Sequence, residues 1–207
     1  MPGTTPHSPD DLEREASWLS SLPMQFSGFV RDLLPEFTAY ARVLHPPGNG
    51  STWASVASAN NKVAHASMQW DCIQPEGDDG EPWVGRIDET IIRALERALG
   101  SRALFGAVWI GWGRDASKVE GPRALRPHRE YVVVGGDWSS FTAFDFPPAF
   151  LWDTTHEWMT STGVDLDSTV IGGSEQFVAE ILRDSSVESW IIHPSDSLQL
   201  DGDHLNC

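Results

Sequence analysis

Positive charge is what this chain runs short of. Residues 130–207 hold 14 acids and one base, Arg183, whereas residues 1–129 hold 16 acids against 13 bases. The formal net charge is −16, and nearly all of it comes from that C-terminal stretch. A field of this sign repels nucleic acid and anionic membrane surfaces, and it speeds encounter with basic partners.

Cysteine is almost missing too. Cys72 and Cys207 are the only two, too few for a cysteine-based metal centre, and a structural disulfide is not expected. No run approaches eighteen apolar residues, so no membrane span is predicted. The opening residues MPGTTPHSPDDLEREA have neither the basic start nor the apolar run of a secretory signal. Together these absences predict a cytoplasmic protein that carries no cofactor.

What is present is apolar and aromatic. A hydrophobic share of 40% with ten tryptophans in 207 residues supplies a packed core and argues against disorder. Ser8-Pro9-Asp10-Asp11 has the chemistry of a helix start, with Leu12, Ala16 and Leu19 following at helical spacing. Residues 1–36, including a second apolar run at Phe26–Leu34, are expected as a helical lead-in. Residues 37–195 are expected as the main domain, and 196–207 as an acidic tail.

Within the main domain, Phe37–Leu44, Met68–Ile73, Leu104–Trp112 and Tyr131–Val134 are predicted strands. Further strands are expected at Glu157–Thr162, Thr169–Ile171 and Val187–Ile192. Asp88–Leu99 is the clearest helix, with Ile87, Ile91, Leu95 and Leu99 on one face and Gly100 as its stop. Ser51 or Thr52 caps a short helix through Ala59, and Ser174 caps another. The fold class expected is α+β: one domain with a mixed or antiparallel sheet, flanking helices and an N-terminal helical extension.

Several motifs invite chemistry. Asp165-Leu166-Asp167-Ser168-Thr169 matches the Asp-x-Asp-x-Thr string of haloacid-dehalogenase-like phosphatases. That chemistry needs the motif on a first strand with a lysine downstream, and both lysines, Lys62 and Lys118, precede it. An Asp-rich turn is the simpler expectation. His156-Glu157 begins a zinc-protease pattern that Thr160 breaks, so no metal site is expected there. The acids around Pro75–Pro82 lack calcium-loop spacing. Gly172-Gly173-Ser174 before a helix has the form of an anion-binding turn, but it serves equally as a strand-to-helix cap. Arg114, Lys118, Arg123, Arg126 and Arg129 form the one basic run, and its glycines and prolines suggest an exposed loop. Trp138, Trp152 and Trp158 lie near acids and predicted loops, where tryptophan often serves protein interfaces.

Taken together, several segments resemble a family of uncharacterised bacterial proteins. They are Arg42-Val43-Leu44-His45-Pro46, Trp53-Ala54 with Val56-Ala57, and Trp109-x-Gly111-Trp112-Gly113. Trp152, Trp158, Asp165–Thr169, Gly172-Gly173-Ser174 and a last strand containing Glu188 continue the pattern. The resemblance runs from about residue 37 onward and implies a shared fold, with no activity attached. In that family the first of the later tryptophans is followed by Pro-x-Asp-Arg, where this chain has Asp153, Thr155 and His156.

The function expected is therefore that of a non-enzymatic acidic protein that binds a basic partner protein such as a toxin, in an immunity or antitoxin role. Its contact residues would be Trp138, Trp152, Asp153, His156, Glu157 and Trp158. The alternative is a metal-dependent hydrolase or transferase built on Asp165 and Asp167, with His156 and the Gly172, Gly173, Ser174 turn as metal or anion ligands.

Overall fold

Short strands and short helices are interspersed along the chain. The computed structural model describes residues 7–23, 28–74, 80–112, 118–143, 145 and 147–207. Helix α1 (Pro9–Ser21) opens with a reciprocal cap, in which the Asp11 N–H donates to Ser8 Oγ and the Ser8 N–H donates to the Asp11 carboxylate. A single turn, α2 (Val30–Leu33), leads into β1 (Ala39–Leu44). Then come α3 (Trp53–Ala59), capped by Thr52, α4 (Trp70–Ile73) and α5 (Glu89–Leu99). Asp88 caps α5, and Gly100, at φ 73°, ends it in a conformation that glycine adopts without strain.

The remaining elements are β2 (Leu104–Trp109), β3 (Arg123–Arg126), β4 (Arg129–Gly136), α6 (Trp138–Thr142), β5 (Phe150–Trp152), β6 (Met159–Ser161), β7 (Ser168–Gly173), α7 (Glu175–Arg183) and β8 (Ser189–Ile192). The eight strands form one antiparallel sheet in the order β3-β4-β2-β5-β6-β7-β1-β8. The fold is a single α+β domain, as the sequence pattern implies.

Alternation along β1 sorts the layers. Ala41 and Val43 join the face covered by α5, α6 and α7, where Ile91, Leu95, Trp138, Phe141, Phe177 and Ile181 pack on Leu104, Leu151 and Ile171. Tyr40 and Leu44 turn to the opposite face. There α1 and α2 place Ala16, Leu19 and Val30 in one cluster with Phe105, Val133 and Trp152. On the same side α3 and α4 gather Trp53, Val56, Trp70 and Ile73 around Leu44 and Met68. The segment expected as a lead-in thus contributes to the central core.

Three local expectations are corrected. Met68–Ile73 is no strand: Trp70–Ile73 is the turn of α4, which brings Trp70 and Ile73 together on one face. The basic run is no simple loop, because Arg123–Arg126 forms β3 against β4. Pro127 and His128 make the two-residue hairpin turn, with His128 at φ 64°. Arg114 and the acids of segment 75–79 fall outside the described residues. Finally, Cys72 and Cys207 are disulfide-bonded, with Cα atoms 5.3 Å apart across a sequence separation of 135. Sequence spacing gave no hint that the chain end returns to α4.

The C-terminal segment is held by more than this bond. Asp203 is 1% exposed, and its carboxylate accepts from the Gln69, Leu205 and Asn206 backbone N–H groups and from the Asn206 side chain, with His65 Nε2 at 2.9 Å. Asn206 in turn exchanges two hydrogen bonds with the backbone of Val63. Reducing the disulfide, or replacing Cys207 by Ser, is predicted to lower unfolding stability by about 2–4 kcal/mol. Urea denaturation with and without a dithiol measures this, and coincident curves would show that the bond contributes nothing.

Candidate functional site

Arg42, in the middle of β1, is a cationic side chain with 0% exposure. A buried guanidinium has five N–H donors to satisfy. Its Nε donates to Ser168 Oγ at 2.9 Å, and Nη1 donates to the carbonyls of Ala66 and Met68 at 3.0 and 2.7 Å. Nη2 reaches Asp167 Oδ1 at 3.1 Å. The face of Trp53 lies 5.7 Å from its central carbon. Burial pulls the guanidinium pKa down, opposed by the charges of Asp167 and Asp203. Arg42 therefore ties the turn before β7, the 66–68 segment and α3 to the sheet.

A second buried chain runs beside it. His45 is 1% exposed, with Nδ1 against the Trp83 carbonyl and Nε2 3.0 Å from Thr169 Oγ1. A carbonyl only accepts, so Nδ1 carries the proton and Nε2 accepts from Thr169. Thr169 Oγ1 lies 2.7 Å from Thr162 Oγ1. The arrangement pairs a hydroxyl with a base, but Thr162 and Thr169 are both 0% exposed and no substrate reaches them. Its work is structural: it pins the 80–85 loop to the end of the sheet. Trp53 Nε1 donates to the His45 carbonyl at 2.8 Å. The Glu188 carboxylate accepts the N–H groups of Trp53 and Ala54 at 2.7 and 2.8 Å, anchoring the start of α3.

In front of this polar wall opens a cleft of about 800 Å³. Leu33, Trp70, Pro82, Val84, Val164, Leu166, Leu198 and Leu200 give it largely apolar walls. Five carboxylates, those of Asp71, Glu81, Asp165, Asp167 and Asp201, lie among them. Asp167 is held by Arg42, and Asp165 by Arg129 at 3.0 Å. Asp71, Glu81 and Asp201 are exposed and make no ion pair among the described residues.

The residues expected to contact a partner lie elsewhere, and the expectation that the three tryptophans reach the surface is corrected. Trp138, Trp152 and Trp158 are 3%, 0% and 2% exposed. Their indole N–H groups donate to the Gly100 carbonyl, the Glu15 carboxylate and the Asp153 carboxylate. Asp153, 3% exposed, also accepts from Thr155 and Arg102. Burial works to raise its pKa, but the bonds from Thr155, Trp158 and Arg102 leave it below the usual carboxylate range. His156 adopts φ 55°, stacks on Trp18 at 3.8 Å and meets the buried Glu15 at 2.6 Å. Glu157 alone of the set is fully on the surface.

The alternative ligand set does not assemble. Asp165 and Asp167 precede β7, whereas Gly172, Gly173 and Ser174 lie at its far end, roughly 20 Å away along six residues of strand. His156 shares the far end, since the Met159 that follows it pairs with Gly172. Gly172 and Gly173 make room for the rings of Phe37 and Phe177, and Ser174 Oγ caps α7 by accepting from the Phe177 N–H. Among the described residues no group of three or more His, Cys, Asp or Glu side chains is placed to hold a metal. The basic run is occupied too: Arg126 donates to the Leu19 and Leu22 carbonyls at the end of α1, and Arg123 lies 3.6 Å from Glu130.

Sequence reasoning singled out Asp165 and Asp167, took Glu81 only as part of a solvated acidic loop, and missed Asp71, Trp83, Val84 and Leu200. Glu81 and Trp83 flank Pro82 beside a stretch rich in acids, and that juxtaposition was the available signal.

Two outcomes follow for the buried wall. Asp167→Ala strands a buried guanidinium and is predicted to cost about 3–5 kcal/mol. Adding Arg42→Met removes the stranded charge and restores part of the loss, so a urea series giving additive costs would contradict the pairing. Burial holds His45 neutral, with a lowered pKa, whereas in the unfolded chain it titrates near 6.5. The unfolded state then binds the extra proton, so stability is predicted to fall as pH drops below about 6.5. His45→Gln should flatten that part of the stability–pH curve, and an unchanged slope would show that His45 does not contribute.

No protein-family model, curated protein or solved structure matches the chain.

Proposed function

We propose that the protein is a non-enzymatic acidic binding protein that engages a basic protein partner and neutralises it, as an immunity or antitoxin protein does. One observation carries the reading. Asp71, Glu81 and Asp201 stand exposed at one cleft without ion-pair partners among the described residues, while the guanidinium groups of Arg42, Arg126 and Arg129 are already engaged. Exposed carboxylates beside exposed Val84 and Leu200 suit a surface that is both cationic and apolar.

The reading through Asp165 and Asp167 as catalytic metal ligands has less support, because an arginine already holds each carboxylate and His156 lies at the other end of the sheet. Among the described residues no helix is long and apolar enough to cross a membrane. A cytoplasmic setting belongs to the proposal; there the Cys72–Cys207 bond would be subject to reduction, and the tail would rest on Asp203 and Asn206. Kinship with the uncharacterised bacterial family is likewise proposed, supported by the contacts that join its Asp167, Ser168, His45 and Glu188 to Arg42 and Trp53.

Affinity capture from the native cell at about 50 mM and about 500 mM salt tests the function. The expected result is one dominant protein of high positive charge, retained at low salt and largely released at high salt. Capture of no basic protein, or retention indifferent to salt, contradicts it.

A further inference from the structure

The cleft also says what form its occupant takes. We propose that it docks an extended segment of the basic partner, with a lysine or arginine side chain entering between Asp71, Glu81 and Asp201. An adjacent apolar residue would sit on the rim formed by Trp83, Val84 and Leu200. The proposal rests on the protein-binding reading above and adds the docking site and the chemistry of the ligand.

Size is the first argument. At about 800 Å³ the cleft has room for several side chains, which a flat protein–protein contact does not need. Charge is the second. The carboxylates at its edge repel anions, and the largely apolar walls lower the local dielectric, strengthening attraction for a cation whose aliphatic stem packs on Leu33, Leu166 and Leu198.

The rim is the third. Trp83, Val84 and Leu200 are 63%, 50% and 63% exposed, and Val84 and Leu200 line the cleft itself. Trp83 sits between two lining residues, Pro82 and Val84, with the Arg86 guanidinium 5.2 Å from its ring centre. Exposed apolar side chains edged by charge mark interaction sites, and tryptophan is enriched among the residues that dominate binding energy.

The apolar walls and rim also favour an extended peptide over a small inorganic cation, which would leave them uncovered.

A fluorescently labelled short peptide alternating lysine with leucine is the probe, titrated into the intact, oxidised protein by anisotropy. It is expected to bind saturably, and replacing its leucines by serine should weaken it about fivefold. The triple variant Asp71→Asn, Glu81→Gln, Asp201→Asn should weaken binding about tenfold, as should Trp83→Ser with Leu200→Ser. All of these positions are exposed, and circular dichroism confirms the fold. Neutralising three distant exposed acids, Glu13→Gln, Glu96→Gln and Glu180→Gln, controls for net charge and should leave binding nearly unchanged.

Equal weakening by both triple variants would reduce the effect to overall charge and overturn the cleft assignment. So would binding of spermine in the cleft with full displacement of the peptide and no loss in the Trp83→Ser, Leu200→Ser variant. If the cleft-neutralised protein still captures a salt-sensitive basic partner from the native cell, this docking site falls while the binding function stands. If the unmodified protein captures none, the function itself falls.

Discussion

A guanidinium with no exposure to water has to be satisfied on every side, and the placement of Arg42 imposes that demand on the middle of the sheet. Left unpaired, it would cost several kcal/mol. Its acceptors come from the 66–68 segment, from Asp167 and from Ser168, which are distant in sequence, so none of these segments can move without stranding the charge. Trp53 covers the guanidinium, and Glu188 on the turn before β8 fixes the start of the helix that carries Trp53. The polar wall and the hydrophobic clusters on that face are one arrangement.

The cleft inherits its shape from this wall. Asp167 faces Arg42 and also lines the cleft, so the buried pair orients the 163–167 turn that forms one side. The opposite side comes from Leu198–Asp201, held down by the carboxylate of Asp203 and the Cys72–Cys207 bond. Burial works to raise the Asp203 pKa, yet its hydrogen bonds from Asn206 and Gln69 and its contact with His65 hold it below the usual range. That clamp keeps its strength at neutral pH and weakens only as acid approaches the ordinary carboxylate range. Asp71, Glu81 and Asp201 make no ion pair among the described residues, and a site built this way presents negative charge on an apolar frame.

Most of the fold was legible because local signals agreed with it. The Ser8 box, the Asp88 and Gly100 ends of α5 and the Ser174 cap are each written in a few adjacent residues, and the apolar spacing of α5 and α7 names their buried faces. What escaped depends on contacts between remote segments. The pairing of Cys72 with Cys207 requires knowing that the chain end returns to α4. Trp138, Trp152 and Trp158 stand beside Asp137, Asp153 and Glu157 in sequence, but of these acids only Asp153 takes an indole proton, from Trp158; the other two indoles bond the Gly100 carbonyl and the remote Glu15, and all three rings go inward. The Asp-x-Asp-x-Thr string was visible in the sequence but its contacts were not: Asp167, Ser168 and Thr169 bond Arg42 and His45. Of the cleft, Asp165 and Asp167 were marked in advance. The joint placement of Asp71, Glu81 and Asp201 beside an exposed rim was not, because its significance comes only from their standing together.

The most direct test of the account is to map the cleft by backbone amide chemical shifts while titrating a lysine- and leucine-containing peptide into the isotopically labelled protein. The account predicts saturable shifts confined to Gly28, Leu33 and residues 69–71, 81–84, 163–167 and 198–201, with the strands beyond β7 and β1 unaffected. Shifts concentrated instead around His156 and Glu157, or scattered over every acidic surface, would contradict it.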